Sequence, residues 1–238
     1  MKRILITNDD GIESEGIIRL ARAAKDFGEV WVVAPDGQRS AASHSIIIRG
    51  HLDVRPHAFP VEGVRAYACS GTPADCARVG IRYLMDPAPD ILLSGINLGY
   101  NMGVDIQYSG TVGAAFEADR FGIPAIALSE SHGEDHRIGD RYLPEVLRML
   151  IDRRLEPGQV YNVNFPDCGP EECRGILENR TVSRDSMYQD RYLETEKLPE
   201  GGFRLAVNGI FSMKCKEGTD FHALINNYIS IGVLNNIC

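Results

Sequence analysis

Short apolar runs alternate with helix-period segments along the first two thirds of the chain. Ile4-Leu5-Ile6 forms the first run, and Val30 to Ala34 forms the second. Between them, apolar residues recur at helical spacing from Ile17 to Phe27. Runs this short and continuous are typical of strands buried on both faces of a parallel sheet. The first 34 residues therefore predict a strand, a helix and a second strand.

The same alternation continues to residue 165. Thr72-Pro73-Ala74-Asp75 has the residues of a helix start, with a hydroxyl N-cap, a proline and a carboxylate at the third helical position. Such alternation predicts an α/β fold, in which a mostly parallel sheet has helices on both faces. The further segments are a strand over 90–94, a helix over 110–121, a strand over 123–128, a helix over 143–151 and a strand over 160–165.

The pattern changes after residue 166. Turn residues and charged residues dominate 167–218, and the clearest apolar stretch is Phe203 to Met213, which predicts a β-hairpin arm. Thr219-Asp220 predicts the start of a short helix, and Tyr228 to Leu234 a last strand. We expect residues 1–166 to form the α/β core with the metal and phosphate site. Residues 167–238 are expected to form an extension with the arm and a helix and strand that return to the core.

Charge and cysteine content limit the partners and the compartment. The formal net charge is −8, which argues against nucleic acid as the main ligand and against an anionic membrane surface. The N-terminal apolar run has only three residues, too few for a signal peptide or a membrane span. The six cysteines contain no C-x-x-C pair, so we expect reduced thiols and a cytoplasmic protein. A metal cluster of Cys168, Cys173 and Cys215 is the weaker alternative.

Polar segments follow three of the predicted strands. Asn8-Asp9-Asp10-Gly11 follows the first strand, Asp36 to Ser45 follows the second, and Ser94-Gly95-Ile96-Asn97 follows the strand over 90–94. Ligands of an open parallel sheet bind outside the carboxyl ends of its strands. We therefore expect these three segments to meet at one edge of the sheet.

Asp9 and Asp10 predict a metal site at that edge. Two adjacent carboxylates repel each other, and a cation would neutralise them. Because the neighbouring donors are oxygens, the site suits a hard ion such as Mg²⁺, Mn²⁺ or Ca²⁺ rather than zinc or copper. In the alternative, one carboxylate caps the following helix and the other is solvated.

The segment from Tyr108 to Ala115 predicts an anion site. It opens a helix with Ser109, Gly110 and Thr111, so hydroxyl and backbone N–H donors lie close together and suit a phosphate. In the alternative, Ser109 or Thr111 only caps the helix. The glycine-rich segment from Ser94 to Gly103 adds asparagine amides that can ligate a metal or donate to phosphate. A metal and a phosphate at one sheet edge predict phosphoester chemistry.

Six segments follow one another along the chain: ILITNDDG, APDGQRSAASHS, SGTPADC, SGINLGYNMG, YSGTVGAA and GTDFHALINNYISI. In this order they resemble the survival protein SurE family of metal-dependent 5′/3′-nucleotidases. The resemblance runs from residue 3 to about residue 234. It implies a Rossmann-like core with a C-terminal β-hairpin arm exchanged between subunits, in a homodimer or, as an alternative, a homotetramer.

The resemblance also implies the substrate, the cofactor and the site residues. The substrate is a nucleoside 5′- or 3′-monophosphate, and the cofactor is one divalent cation per subunit, Mg²⁺ or Mn²⁺, with Ca²⁺ as an ion that a crystal could hold. Asp9, Asp10 and Asn97 are the implied catalytic residues. The implied metal ligands are Asp9, Asp10, Ser40 and Asn97, and the implied phosphate-binding residues are Asn8, Ser109, Gly110 and Thr111.

The residues favour direct attack by water over a covalent route. The sequence offers no convincing Ser-His-Asp or Cys-His pairing, and we leave His44 outside the site as a surface histidine. We expect the cation to polarise the phosphoryl oxygens and to activate the attacking water. The alternative function is a receiver-like signalling domain that binds Mg²⁺ without turnover, but the chain is longer than one modest domain of that kind.

Overall fold

The computed structural model describes residues 1–133, 135–185 and 187–237. Among these residues, no helix is both long enough and apolar enough to cross a membrane. The helices are α1 (Glu15–Ala24), α2 (Pro73–Val79), α3 (Gly110–Arg120), α4 (Arg137–Leu150) and α5 (Asp220–Ile225), with a π-helical turn at Gly80–Leu84 and a 3-10 turn at Gly103–Tyr108. The strands are β1 (Lys2–Thr7), β2 (Gly28–Pro35), β3 (Val54–Pro56), β4 (Arg65–Cys69), β5 (Ile91–Leu98), β6 (Ala125–Glu130), β7 (Gln159–Asn164), β8 (Ile176–Arg180), β9 (Tyr188–Lys197), β10 (Phe203–Phe211) and β11 (Ile229–Asn235).

The main sheet has nine strands in the order β3-β4-β2-β1-β5-β6-β7-β11-β8. Strands β4, β2, β1, β5, β6 and β7 run parallel to their neighbours. Strand β3 is antiparallel to β4, and β11 is antiparallel to β7. The structure therefore confirms the predicted α/β class and its mostly parallel sheet.

Helices cover both faces of this sheet because β1 is apolar on both sides. Ile4 and Ile6 are fully buried in a cluster that includes side chains of α1 and α4. Leu5, between them, points to the other face and belongs to a cluster that includes side chains of α2 and α3. This alternation along a continuous apolar strand is what a sheet with two covered faces requires.

Strands β9 and β10 form a separate antiparallel hairpin, which confirms the predicted arm. Several of its apolar side chains are exposed, Val207 at 69% and Leu193 at 51%. Within the predicted extension, β8 and β11 also join the main sheet. The domain boundary after residue 166 stays a prediction.

Three strands and one strand end differ from the predictions. Strands β3, β4 and β8 were not among the predicted strands, and each has at most five residues. Strand β5 reaches Leu98, so the prediction that Ser94 to Asn97 follows the strand is wrong. Those residues lie inside β5, where Ser94 pairs with Ala127 but Asn97 pairs with Ser129. The extra residue in β5 is a bulge, and pairing with β6 maintains the strand through polar residues.

Candidate active site

The candidate site lies where the order of the sheet reverses, between β1 and β5. From β1 the chain continues to β2 on one side, whereas β5 lies on the other side of β1. Such a reversal leaves a crevice at the carboxyl ends of the strands. Asp9 and Asp10 follow β1 directly, and Asn97 lies near the carboxyl end of β5.

Asp9 is a buried carboxylate held by the N-terminus of α3. Its exposed fraction is 4%, the Thr111 hydroxyl donates to its Oδ1 at 2.5 Å, and the Gly110 N–H donates to its carboxyl group. Burial raises the pKa of Asp9 to about 6, the charge of Asp10 raises it as well, and the Thr111 hydrogen bond opposes both. Ionised Asp9 therefore lies in a place that favours a nearby cation.

Asp10 links the β1 loop to the end of β5. The Leu98 N–H donates to its Oδ2 at 3.0 Å. Burial raises the pKa of Asp10, while the Leu98 hydrogen bond and the charge of His132 lower it. Two adjacent carboxylates are thus held by different elements, Asp9 by α3 and Asp10 by β5.

The loop that carries Ser40 lies against the same two elements. The Arg39 N–H donates to the Asp9 carbonyl oxygen at 2.7 Å, and the Ser43 N–H donates to the Tyr108 carbonyl oxygen at 3.0 Å. Ser40 is exposed, and its hydroxyl accepts a hydrogen bond from the Gln38 amide at 2.9 Å. The structure therefore brings the loops after β1 and β2 together with the start of α3.

Asn97 and Asn8 use their amide groups differently. The Asn97 side-chain N–H donates to the Gly99 carbonyl oxygen at 2.7 Å, so its Oδ1 is the atom left for a ligand. Asn8 is fully buried, and its amide donates to the Gly11 carbonyl oxygen at 2.9 Å and to the Ser14 hydroxyl at 2.7 Å. Asn8 therefore holds the turn that carries the two aspartates.

Glycine is required at one point in β5. Gly95 has φ +138°, and a Cβ there would lie 2.3 Å from the Leu128 carbonyl oxygen. A larger residue would push β5 away from β6 at the bulge that precedes Asn97.

The first turn of α3 is occupied mainly by protein contacts. Ser109 is the N-cap, and its hydroxyl accepts from the Val112 N–H at 3.0 Å, as in the alternative interpretation of this segment. A Cβ at Gly110 would lie 3.0 Å from the Cβ of Asp9, so glycine permits the close approach. The carboxylate of Asp9 is thus the anion at this helix N-terminus. Phosphate binding by Asn8, Ser109, Gly110 and Thr111 stays a prediction.

Comparison with known proteins identifies the family. The family model described as survival protein SurE matches residues 4–188. The chain belongs to the SurE family. A protein named 5′-nucleotidase SurE from Geobacter metallireducens is 38% identical over 240 residues, which cover 98% of this chain and 91% of that protein. Another of the same name, from Clostridium botulinum (strain Loch Maree), is 39% identical over 236 residues, 98% of this chain and 92% of that protein.

A solved structure agrees with the fold. The crystal structure of the SurE protein from Aquifex aeolicus matches with a TM-score of 0.84 and 34% sequence identity. The match covers 98% of this chain and 93% of that chain. The Rossmann-like expectation for this SurE-family chain is therefore confirmed over nearly its whole length.

The donors present fit a hard divalent cation. Among the described residues, no group of three or more His, Cys, Asp or Glu side chains is placed to hold a metal. The implied ligand set of this SurE-family chain has only two carboxylates, and its other donors are the Ser40 hydroxyl and the Asn97 amide oxygen. The raised pKa of Asp9 supports a cation beside it, because a cation would compensate the buried charge.

Sequence reasoning missed His132 as a neighbour of this site. It lies in the loop after β6, and its charge acts on the carboxyl group of Asp10. The rule that ligands bind at the carboxyl ends of parallel strands could have found it, because β6 is parallel to β5.

Replacing Thr111 by valine is expected to lower kcat/KM by about 10- to 100-fold, the usual effect of losing a partner that orients a metal ligand. The hydroxyl donates to Asp9, so its loss frees the carboxylate to turn and raises the pKa of Asp9 further. Steady-state kinetics at several cation concentrations should show that the variant needs more cation for half-maximal activity. Thr111→Ser, which keeps the hydroxyl, is the control, and unchanged kinetics with lowered stability would reduce Thr111 to a structural role.

Proposed function

We propose that this SurE-family chain hydrolyses nucleoside 5′- and 3′-monophosphates to a nucleoside and phosphate, using one divalent cation per subunit, Mg²⁺ or Mn²⁺. The observation that carries the proposal is the pair of carboxylates, Asp9 and Asp10, held at the reversal point of the sheet beside the N-terminus of α3. The relatives named 5′-nucleotidase support a hydrolase of this class. Family membership does not favour the receiver-like alternative.

The cation would be held by the oxygens of Asp9, Asp10, Ser40 and Asn97. When bound, it supplies positive charge to the phosphoryl oxygens and favours deprotonation of the attacking water. Other residues of the chain fix the orientation of the two carboxylates. Thr111 and Gly110 orient Asp9, and the Leu98 N–H orients Asp10.

Several parts of the chain keep the site rigid. Asn8 holds the β1 turn, and the Arg39 N–H ties the Ser40 loop to the backbone of Asp9. We further propose that the transferred phosphoryl group lies near the N-terminus of α3, which favours negative charge in addition to that of Asp9. Preorganised donors of this kind stabilise charge that develops during phosphoryl transfer.

Phosphate release from a panel of substrates tests the function. We expect 5′-AMP and 3′-AMP to be hydrolysed when Mg²⁺ or Mn²⁺ is present, and the same assay ranks the bases and the two ions. Incubation with acetyl phosphate is the second arm. A stable acyl phosphate on the protein without nucleotide turnover would favour the receiver-like alternative.

We further propose a homodimer through the hairpin arm, with pairing of dimers into a homotetramer as the alternative. The exposed apolar side chains of the hairpin, Leu193 and Val207, support this, because an isolated two-stranded hairpin is marginal in water. Light scattering over a dilution series is expected to give the dimer mass at micromolar protein. A monomer mass with activity retained would contradict the exchanged arm.

We propose a cytoplasmic location for the enzyme. Five cysteines, at positions 69, 76, 168, 173 and 215, are free thiols, whereas Cys238 lies outside the described residues. Free thiols persist in reducing compartments, which supports this location. The weaker alternative, a metal cluster of Cys168, Cys173 and Cys215, gains no support from the described residues.

A further inference from the structure

The Ser40 loop, residues 36–45, carries near its end a histidine that contacts a buried carboxylate. His44 lies at the surface, as the sequence predicts, and 35% of its side chain is exposed. Its Nε2 is 2.8 Å from Oε2 of Glu117, a buried residue in the second half of α3. Its ring also lies beside that of Phe116, with 6.4 Å between the ring centroids. His44 therefore joins the Ser40 loop to α3.

Glu117 forms ion pairs with two arginines from two helices. Its Oε1 is 3.2 Å from Nη1 of Arg120 in α3 and 3.6 Å from Nε of Arg78 in α2. Because the carboxylate of an ion pair only accepts hydrogen bonds, Nε2 of His44 carries the proton and donates to Glu117. A buried carboxylate is costly unless cations and donors surround it, so this hydrogen bond is one that the fold needs.

The backbone next to His44 lies directly on α3. A Cβ at Gly113 would be 2.5 Å from the Ser43 carbonyl oxygen and 2.9 Å from the Cα atom of His44. Glycine at this position of the helix therefore permits the close contact. The Ser43 N–H also donates to the Tyr108 carbonyl oxygen, just before α3, at 3.0 Å. The helix and the loop thus meet over the two residues at which the His44 side chain begins.

The backbone of the loop between Ser40 and His44 is strained. Ala41 has φ +58° and Ser43 has φ +53°, values that residues other than glycine rarely adopt. Such conformations persist only where surrounding contacts impose them. His44 follows Ser43 directly, so its side-chain bond to α3 holds the strained segment in place.

Ser40 depends on contacts made by its neighbours. It is exposed, and its hydroxyl is bonded to Gln38 in the same loop, which does not tie it to another element. On one side of Ser40, the Arg39 N–H donates to the Asp9 carbonyl oxygen at 2.7 Å. On the other side, the His44 ring is bonded to α3. The loop is therefore fixed from outside on each side of Ser40.

On the proposed function, we propose that His44 is a positioning residue for the cation site. Through its bond to Glu117, it holds the Ser40 loop against α3, so that the Ser40 hydroxyl can join Asp9 as a ligand. His44 itself contacts neither the cation nor the substrate in this arrangement. Because the N-terminus of the same helix holds Asp9, α3 sets the position of both ligands.

The first test requires neither a cation nor activity. Trypsin cleavage after Arg39 in excess EDTA, identified by fragment mass, reports how often the loop leaves its place. His44→Phe keeps a ring beside Phe116 but has no donor for Glu117, and we expect it to be cleaved at least about tenfold faster than the wild type. Cleavage of His44→Phe at the wild-type rate would overturn the inference.

Two further variants serve as controls for this measurement. His44→Gln has a side-chain amide that can donate to Glu117, so its cleavage rate should lie closer to that of the wild type. His51→Ala removes an exposed histidine from the segment that follows the loop, and it should be cleaved like the wild type. If His44→Gln were cleaved as fast as His44→Phe, the hydrogen bond to Glu117 would not be what holds the loop.

The second test measures binding of the cation. Calorimetric titration of chelated protein with Mn²⁺ is expected to give a dissociation constant about 10- to 100-fold higher in His44→Phe than in the wild type, the usual effect of losing a residue that orients a ligand. The Mn²⁺ concentration for half-maximal hydrolysis of 5′-AMP should rise in parallel, with a smaller change in kcat at saturating Mn²⁺. A lower melting temperature with an unchanged dissociation constant would assign His44 to stability alone and overturn the inference.

Failure of the proposed function gives a different result from failure of this inference. If the wild type binds Mn²⁺ but hydrolyses no nucleotide, the proposed function fails, and the dissociation constants of the variants still decide the role of His44. If the wild type binds neither Mn²⁺ nor Mg²⁺, the proposed cation site fails, and the positioning role of His44 fails with it.

Discussion

Asp9→Asn is expected to lower nucleotidase kcat by about 10²- to 10³-fold or more, the scale seen when one preorganised charge-stabilising group is lost from an active site. Asparagine keeps the shape of the side chain and can still accept the hydrogen bond from Thr111. It removes the negative charge that a cation requires. Asp10→Asn is expected to act in the same direction, because Asp10 is the second carboxylate of the pair.

The Asp9→Asn variant is expected to fold at least as well as the wild type. Burial already disfavours the ionised form of Asp9, as its raised pKa shows, so a neutral amide removes an electrostatic cost and opens no cavity. Kinetics and thermal unfolding should be measured together. Asp26→Asn, which removes a charge from an exposed residue outside the site, is the matched control. Wild-type turnover in Asp9→Asn would exclude Asp9 from the site, and unfolding would mark it as structural.

The local sequence correctly predicts the elements whose structure depends on residues close together in the chain. The N-terminus of α2 is one case. The Thr72 hydroxyl accepts from the Asp75 N–H at 3.1 Å, and the Asp75 carboxylate accepts from the Thr72 N–H at 3.1 Å, which confirms the predicted helix start. Strand β1 is another, because three consecutive apolar residues can be buried only between two covered faces.

Long-range pairing explains what the sequence did not predict. Strand β8 has two apolar residues and gains its conformation from pairing with β11, about fifty residues later in the chain. The bulge in β5 depends on the register with β6. Polar residues at Ser94 and Asn97 indicate a loop when they are considered alone, but the neighbouring strand satisfies their backbone groups.

The N-terminus of α3, at the candidate site, is another place where the local sequence does not decide the structure. The segment from Ser109 to Thr111 has the right residues for a phosphate cradle and also for a helix cap, and the sequence does not choose between them. In the structure Ser109 caps the helix, while Thr111 donates to Asp9, a residue about one hundred positions earlier. The acceptor of the Thr111 hydroxyl is decided by the fold, which places the start of α3 beside the loop after β1, and not by local spacing.

Chelation is expected to abolish activity completely and to lower stability in a way that depends on pH. EDTA should remove turnover, and added Mg²⁺ or Mn²⁺ should restore it, because the implied ligands are all oxygens. Full activity in excess chelator would contradict the cation requirement. A cation that binds only the folded state also stabilises it, by about 2.7 kcal/mol at one hundred times its dissociation constant.

The pH dependence of stability follows from the direction in which folding shifts the pKa of Asp9. With the protein residues alone, its pKa is about 6 in the folded state, above the ordinary value of 3.8. The folded chain therefore binds the proton more tightly than the unfolded chain. Its stability falls as the pH rises from about 4 through about 6, by about 3 kcal/mol in total for a shift of roughly two units.

A bound cation opposes this loss, because it stabilises the ionised carboxylate. The gain in melting temperature on adding Mg²⁺ to chelated protein should therefore be larger near pH 7.5 than near pH 5, where protons compete for Asp9. Asp9→Asn should remove most of the difference between the two pH values, and Asp26→Asn should keep it. A gain that is equal at both pH values, or that survives in Asp9→Asn, would show that the cation stabilises the protein at some other place.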